Sequence, residues 1–186
     1  MFDGTKATPY VEDDVPNPIN AYGRSKLAGE HAIQATGASH LILRTSWVFG
    51  PRGKNFLLTM LRLASERDEL RVVNDQRGTP TSAIALATAT AQILQRPRVE
   101  ANGLCHLTAA GDTTWFGFAE AILECARSRL ERVPRLVPIT TAEFVTPAQR
   151  PANSVLDCGK ANRRLGVQLA DWRSALNEVW RRMATC

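Results

Sequence analysis

Cysteine and histidine are scarce in this chain of 186 residues, which has 4 of the former and 3 of the latter. No two cysteines are close enough for a C-x-x-C pair, and no Cys/His cluster has zinc-site spacing. We therefore predict neither a disulfide framework nor a metal site, and we expect these side chains to be structural or surface residues in a reducing cytoplasm. They are Cys105, Cys125, Cys158, Cys186, His31, His40 and His106.

Long apolar runs are absent as well. No stretch reaches the roughly 20 residues of a membrane span, and Met1–Thr5 has neither the basic nor the apolar region of a signal peptide. We therefore predict no membrane association. The hydrophobic share of 44% and the charged share of 22% are typical of a soluble globular chain of one domain, or one and a half.

Aromatic residues are missing where positive charge is densest. The formal net charge is +5, and a basic balance can indicate nucleic acid or another anionic partner. Residues 127–135 interleave arginines with Leu130 and Val133 and contain no aromatic residue on which a base could stack. We interpret this segment as a solvated helix face and its exit loop and predict no nucleic-acid partner. The excess of positive charge is still compatible with small anionic ligands such as nucleotide diphosphates. The arginines are Arg127, Arg129, Arg132 and Arg135.

A glycine-rich phosphate loop is also missing. A dinucleotide-binding fold opens with a strand, a G-x-G-x-x-G turn and a helix. None of the 12 glycines forms that turn, and the nearest segment, Gly50–Gly53, has the wrong spacing. Helix and strand signals nevertheless alternate along the chain, and this alternation predicts an α/β fold.

Helices are predicted where a polar cap precedes apolar residues at helical spacing. The first is expected from Asn20, its N-cap, to Ala35, with Leu27, Ala28, His31 and Ala32 at helical spacing. Further helices are expected over 55–66, from Thr81 or Ser82 to 95, over 113–130, from Asp157 to 166 and from Asp171 onward; strands over 40–44, 70–73, 103–107 and 136–139; and loops over 75–80 and 140–155.

The strongest chemical signal is Tyr22 with Lys26 near the start of the first helix. Residues four apart project from one helix face. A neighbouring ammonium and a helix N-terminus both stabilise a phenolate, so such a phenol can exchange its proton near neutrality. This arrangement suits proton transfer to a ketone oxygen as hydride reaches the carbon. On spacing alone, a structural tyrosine beside a surface lysine is the commoner outcome.

Tyr22 and Lys26 in this setting resemble the catalytic pair of the extended short-chain dehydrogenases/reductases. The narrower resemblance is to the dTDP-4-dehydrorhamnose reductases, whose segments recur in family order over nearly the whole chain. These segments are Phe2–Thr5, Pro18–Glu30, Arg44–Phe49, Asn55–Phe56, Asp75–Thr81 and Arg150–Asp157.

The resemblance implies a fold and its domains. We expect part of a doubly wound Rossmann-type parallel sheet, formed by residues 1–50 and 79–110, with a small α/β substrate-binding domain formed by 51–78 and 111–186. It also implies NADPH- or NADH-dependent reduction of dTDP-4-dehydro-L-rhamnose to dTDP-L-rhamnose, with the choice of cofactor left open. Two alternatives remain: a non-catalytic nucleotide-sugar-binding or regulatory remnant, and a sister nucleotide-sugar epimerase that fits residues 150–157 less well.

The resemblance also implies roles for individual residues. Tyr22 would be the general acid, and Lys26 would activate it and hydrogen-bond the nicotinamide ribose. Trp47 would pack against the sugar, or it would fill the core instead. Four residues would contact the nucleotide or its diphosphate, with loop anchoring as the alternative for each: Asn55, Arg77, Thr81 and Arg150.

The chain departs from the family at its beginning. Family members start with the glycine-rich unit and carry a catalytic Thr or Ser shortly before the counterpart of Phe2–Gly4, and no counterpart of either precedes these residues here. We therefore expect impaired cofactor binding and no turnover by the chain alone. A sheet without its further strands has an open edge, so we also expect a homodimer, with strand exchange as one route to it.

Overall fold

The α/β class predicted from the sequence is confirmed by the computed structural model, which describes residues 1–95 and 103–184. The helices are α1 (Ala21–Ala35), α2 (Phe56–Glu66), α3 (Ala83–Leu94), α4 (Trp115–Ala126), α5 (Gly159–Leu165) and α6 (Trp172–Ala184). The strands are β1 (Leu41–Arg44), β2 (Val48–Phe49), β3 (Glu69–Val73), β4 (Arg77–Gly78), β5 (Thr81–Ser82), β6 (Gly103–His106), β7 (Thr113–Thr114) and β8 (Arg135–Ile139). Short 3₁₀ turns cover Arg127–Arg129 and Thr141–Glu143.

The strands form two-stranded pairs, three of them parallel within the described ranges. β1 pairs with β6, β2 with β5 and β3 with β8, each in parallel, whereas β4 and β7 are antiparallel. Parallel partners require a long crossover connection between them. The pairing therefore brings together segments that are far apart in sequence.

Polar side chains start the helices, largely as the sequence indicates. Asn20 Oδ1 accepts a hydrogen bond from Gly23 N at 2.8 Å, so the predicted cap of α1 is confirmed. Ser82, rather than Thr81, caps α3. The helix predicted from residue 113 instead has Thr114 as its N-cap, because residues 113 and 114 pair with β4 as a strand.

Two predictions about local structure are wrong. Asp157 is not the N-cap of α5; that position is Cys158, and Asp157 Oδ1 instead accepts from Gly159 N at 2.8 Å as a turn preceding the helix. The region predicted as a loop from 75 to 80 contains β4, which pairs with β7. Two-residue strands have no periodicity to reveal them, so the sequence gives no sign of this pairing.

Buried apolar side chains form two clusters. The larger lies among α2, β3, α4 and α6, and the smaller among α3, β6, α5 and the chain that follows α5. The domain boundaries proposed from the sequence stay a prediction. The most buried members of the two clusters include Phe49, Leu57, Phe118, Ile122, Leu176 and Val179 in the larger, and Ile93, Cys105, Leu107, Ala161 and Leu165 in the smaller.

The helix predicted over residues 20–35 is confirmed, but the residues at helical spacing do not form a buried face. Ala28, His31 and Ala32 are exposed, and the buried residues of this helix are Gly23 and Glu30. The spacing of small apolar residues is helical, but α1 contacts the rest of the described structure along a different face. The placement of this helix therefore rests on a polar contact.

That contact is a buried ion pair between Glu30 of α1 and Arg44 at the end of β1. Arg44 Nε donates to Glu30 Oε1 at 2.9 Å and Nη2 to Oε2 at 2.7 Å, and the two side chains are only 8% and 10% exposed, Arg44 and Glu30 respectively. The guanidinium also lies over the ring of Phe2, 5.3 Å from its centre. A bidentate pair of this kind fixes orientation as well as distance.

Three of the four arginines of the 127–135 segment have partners within the fold. Arg132 pairs with Asp68, Arg135 Nε lies 3.8 Å from Glu69 Oε2, and the Arg129 guanidinium lies 4.6 Å from the centre of the Trp180 ring. These contacts agree with a solvated, locally paired surface.

Residues 1–95 and 103–184 contain neither a membrane-spanning helix nor a metal-binding cluster. No helix there combines the length and apolar character needed to cross a membrane. No group of three or more His, Cys, Asp or Glu side chains in the same residues is placed to hold a metal ion.

Replacement of Glu30 tests the role of the buried pair. Glu30→Gln leaves a buried arginine without its counter-charge, and breaking such a pair from one side costs about 3–5 kcal/mol of unfolding free energy. Glu66→Gln is the matched control, because it breaks the exposed Arg62–Glu66 pair on α2 and should cost less than about 1 kcal/mol. Urea denaturation measures both, and equal losses would contradict the role assigned to Glu30.

Candidate active site

Tyr22 and Lys26 lie together at the start of α1, as their spacing predicts. Lys26 Nζ is 5.4 Å from the centre of the Tyr22 ring, and the tyrosine side of the pair is open, with Tyr22 72% exposed. This distance is within the range of a cation–π contact. The phenol and the ammonium therefore face solvent as one unit that a ligand can reach.

The start of α1 is held against the segment that carries Arg150. Asn20 Nδ2 donates to the carbonyl oxygen of Gln149 at 2.9 Å, while Asn20 Oδ1 caps the helix. Gly23 allows close packing there, since a Cβ at this position would lie 2.9 Å from Pro18 Cβ. One amide side chain thus connects the Tyr22 end of the helix to Gln149 and its neighbour Arg150.

Trp47 has an unusual backbone and a defined partner. Its φ is 45°, a left-handed conformation that no other described non-glycine residue adopts. Its ring stacks on Trp115 with centroids 3.6 Å apart and an angle of 7° between the planes. The indole N–H of Trp115 donates to Gln76 Oε1 at 3.2 Å, and Phe56 packs on Trp115 with ring centres 4.7 Å apart.

Gly78 leaves the space that Trp47 occupies. A Cβ built on Gly78 would lie 2.3 Å from Cε2 of Trp47, too close for any real side chain. Left-handed conformations of non-glycine residues cost about 1–3 kcal/mol and persist where the surroundings over-determine them. The surroundings of Trp47 are of this kind: its ring stacks on Trp115 and lies against the backbone of Gly78.

A cleft of about 640 Å³ lies beside the stack, between α2, β3 and the segment after β8. This volume is within the range of small-molecule sites. Its lining combines aromatic rings with arginines, which suits a ligand that has both a ring and a phosphate. The lining includes Phe56, Arg67, Arg71, Gln76, Trp115, Phe144 and Arg150.

Polar contacts hold the outer wall of the cleft in place. The Asp75 carboxylate accepts from Thr141 N at 2.8 Å and from Thr141 Oγ1 at 2.6 Å. Arg71 Nη2 pairs with Glu143 Oε1 at 3.0 Å. Hydrogen bonds from the backbone and side chain of Thr140, with the charge of Arg71 nearby, hold the pKa of Glu143 below its usual range. The wall carboxylate therefore stays ionised at neutral pH.

Of the remaining predicted residues, Asn55 and Arg77 have structural partners and Arg150 lies in the wall of the cleft. Arg150 lines the cleft and is exposed. Asn55 caps α2, with Oδ1 accepting from Leu58 N at 3.2 Å and Nδ2 donating to Gly50 O at 3.0 Å. Arg77 pairs with Asp112 at 2.6 Å.

Thr81 lies in the core. It is 0% exposed, its hydroxyl donates to Thr79 O at 3.2 Å, and the same oxygen accepts from Ala109 N at 3.3 Å. No atom of its side chain is left for a ligand, so loop anchoring, the alternative given for this residue, fits its surroundings better.

Sequence reasoning missed Trp115, Gln76 and Phe144. Trp115 follows the cap of α4 on an apolar helix, where an aromatic residue is indistinguishable from ordinary core. Gln76 is 5% exposed although it is polar, and burial cannot be read from an isolated glutamine in a loop. Phe144 lies in a segment without periodicity.

Solved structures identify the class of fold. A dTDP-4-dehydrorhamnose reductase from Clostridium acetobutylicum superposes with a TM-score of 0.90 at 36% identity, covering 98% of this chain and 62% of that one. The reductase from Bacillus anthracis, solved in complex with NADP, also gives 0.90, at 32% identity with 97% and 62% coverage. The fold is therefore that of the Rossmann-type reductases, as predicted.

The chain belongs to the RmlD substrate binding domain family, which matches residues 1–185. A curated relative from Burkholderia thailandensis, named dTDP-4-dehydrorhamnose reductase, is 48% identical over 95% of this chain. The chain spans 62% of the length of that relative. The resemblance drawn from the sequence segments is thereby confirmed.

Gly4 offers a test of how the N-terminal segment meets the Arg150 segment. Its φ is +85°, and a Cβ there would lie 2.6 Å from both Ala152 N and Pro151 Cβ. Gly4→Ala should cost roughly 1–2 kcal/mol for the left-handed conformation and a further roughly 1–3 kcal/mol for overpacking. Gly53→Ala is the control, because Gly53 has a φ of +78° but open space around it. Thermal unfolding that showed equal losses would contradict this close approach.

Proposed function

We propose that this chain supplies the substrate-binding and proton-donating part of a dTDP-4-dehydrorhamnose reductase, which reduces dTDP-4-dehydro-L-rhamnose to dTDP-L-rhamnose with NADPH or NADH. The observation that carries the proposal is the solvent-facing Tyr22–Lys26 pair, held by Asn20 against the segment that carries Arg150. Membership of the family and the names of its relatives support a reductase over a sister epimerase.

The proposed chemistry centres on one proton. The Tyr22 hydroxyl donates it to the oxygen of the sugar ketone, and the Lys26 ammonium stabilises the phenolate that remains. A reduced nicotinamide, when bound, supplies the hydride to the ketone carbon. Tyr22 and Lys26 are exposed and can hydrogen-bond the nicotinamide ribose. The fit is restricted to that end of the cofactor, because the sequence contains no G-x-G-x-x-G turn for the pyrophosphate.

The proposed nucleotide site is the cleft. Its aromatic walls, Phe56 and Trp115, suit the thymine ring, and the Arg150 guanidinium suits the diphosphate as a planar fork. Trp47, stacked on Trp115, would then meet the sugar. Asn55 contributes by shaping the start of α2. Arg77 pairs with Asp112 through Nε and Nη2, which leaves Nη1 of this exposed side chain for a ligand.

Turnover tests the proton donor. We expect the chain alone to oxidise no NADPH with dTDP-4-dehydro-L-rhamnose, and a fusion behind the N-terminal part of the Burkholderia thailandensis relative to do so. In the fusion, Tyr22→Phe should lower kcat by about 10²- to 10⁴-fold, because the acid is lost. Ser25→Ala, an exposed neighbour on α1, is the control and should leave kcat unchanged.

Two outcomes would count against the proposal. A robust NADPH-dependent rate from the 186-residue chain alone would contradict the need for a separate cofactor unit. An unchanged kcat in the Tyr22→Phe fusion would contradict the role of the phenol.

We further propose that the chain forms a homodimer. Within the described residues β1 pairs with β6 alone, which leaves its other edge open, and open strand edges favour association. Nearby on the chain, Ile33 of α1 is 46% exposed. Light scattering over a range of concentrations should give a dimer that Ile33→Glu weakens. Val145→Glu, at a position 91% exposed, is the control. A monomer at every concentration would contradict the proposed homodimer.

A further inference from the structure

We infer that Trp115 and Gly78 are positioning residues that hold Trp47 in the one orientation in which it meets the sugar of a bound sugar nucleotide. The inference rests on the proposed function, and it adds two residues for which no role was predicted. It concerns orientation only: neither residue is placed at the reacting atoms.

The backbone around Trp47 is fixed by a buried segment. The carbonyl oxygen of Trp47 accepts from Thr81 N at 3.1 Å, and Ser46 Oγ donates to Thr79 O at 3.0 Å. Thr79 and Thr81 are 1% and 0% exposed. The left-handed φ of Trp47 is therefore set by its neighbours in the core, which fix the backbone that carries the ring.

The ring is then held by Trp115 and Gly78 together. Trp115 covers one face of Trp47 in a near-parallel stack. The missing side chain of Gly78 lets the backbone of β4 approach the indole at a distance that no other residue permits. Trp47 remains half-buried despite these contacts, so part of it stays available to a ligand.

Trp115 also belongs to the cleft, which gives the stack a functional meaning. Its indole N–H is bound by Gln76, whose Nε2 donates to Thr141 Oγ1 at 2.9 Å in the outer wall. The ring that borders the nucleotide site is thus the ring that supports Trp47. If the stack only filled space, a substitution in it would change the affinities for dTDP and for dTDP-L-rhamnose equally. If the stack positions Trp47, the substitution should weaken dTDP-L-rhamnose binding more, and the ratio of the two affinities measures this.

The experiment compares two ligands by calorimetry on the 186-residue chain: dTDP, and dTDP-L-rhamnose. Gly78→Ala displaces the Trp47 ring and should weaken dTDP-L-rhamnose binding by roughly two- to tenfold, the range of one aromatic contact, with dTDP binding unchanged. Gly50→Ala is the matched control, since a Cβ there meets Ala83 Cβ at an ordinary 3.6 Å. It should change neither affinity.

Circular dichroism reports the stack directly, and a second variant keeps the test valid if Gly78→Ala does not fold. The two stacked indoles should give an exciton couplet in circular dichroism, which Gly78→Ala diminishes although both tryptophans remain. If Gly78→Ala does not fold, Trp115→Phe, which keeps an aromatic face without the bond to Gln76, should lower the ratio of dTDP-L-rhamnose to dTDP affinity in the same direction.

The outcomes separate the two proposals. Absence of dTDP binding to the unsubstituted chain would overturn the nucleotide cleft, and this inference with it. Normal dTDP binding with an unchanged affinity ratio in the folded variants would overturn the positioning role alone and leave the cleft standing.

Discussion

The position of the Tyr22–Lys26 pair depends on the buried ion pair between Glu30 and Arg44. Among the residues of α1 only Gly23 and Glu30 are buried, so apolar packing does little to fix this helix within the described structure. A buried, bidentate ion pair contributes less to net stability than to a unique arrangement, because desolvation of both charges offsets their attraction. Arg44 ends a parallel strand, and ligand sites of α/β folds lie at such ends. The ion pair therefore connects the helix that carries Tyr22 and Lys26 to the carboxyl edge of the β1–β6 pair.

Sequence patterns predicted the parts of this protein that depend on local chemistry. The Asn20 and Ser82 caps and the longer strands follow from side chains that satisfy nearby backbone groups or from apolar runs of sufficient length. The pair at Tyr22 followed from helical spacing alone. The family resemblance rested on several segments in a fixed order. It therefore predicted both the family and the Rossmann-type fold, which no single motif could do.

What escaped prediction depends on contacts between distant residues. Helical spacing predicted α1 itself, but which face of the helix is buried depends on what packs against it, and Ala28, His31 and Ala32 are exposed here. Thr81 matched a ligand-binding segment by type, yet its hydroxyl is used inside the core. The stack of Trp47 on Trp115 joins residues 68 positions apart (115 − 47), and no local pattern connects them.

The pairing of distant segments has a consequence for how the chain folds. Tyr10 bridges to Leu156, and Asn20 bonds to Gln149, so the candidate site closes only when both ends of the sequence meet. Contacts of such long separation carry a large loop-closure entropy, and chains rich in them fold slowly. Newly made protein therefore acquires its site late, after residues near 150 have left the ribosome. Until then the apolar surfaces that these contacts cover are open to chaperones and proteases.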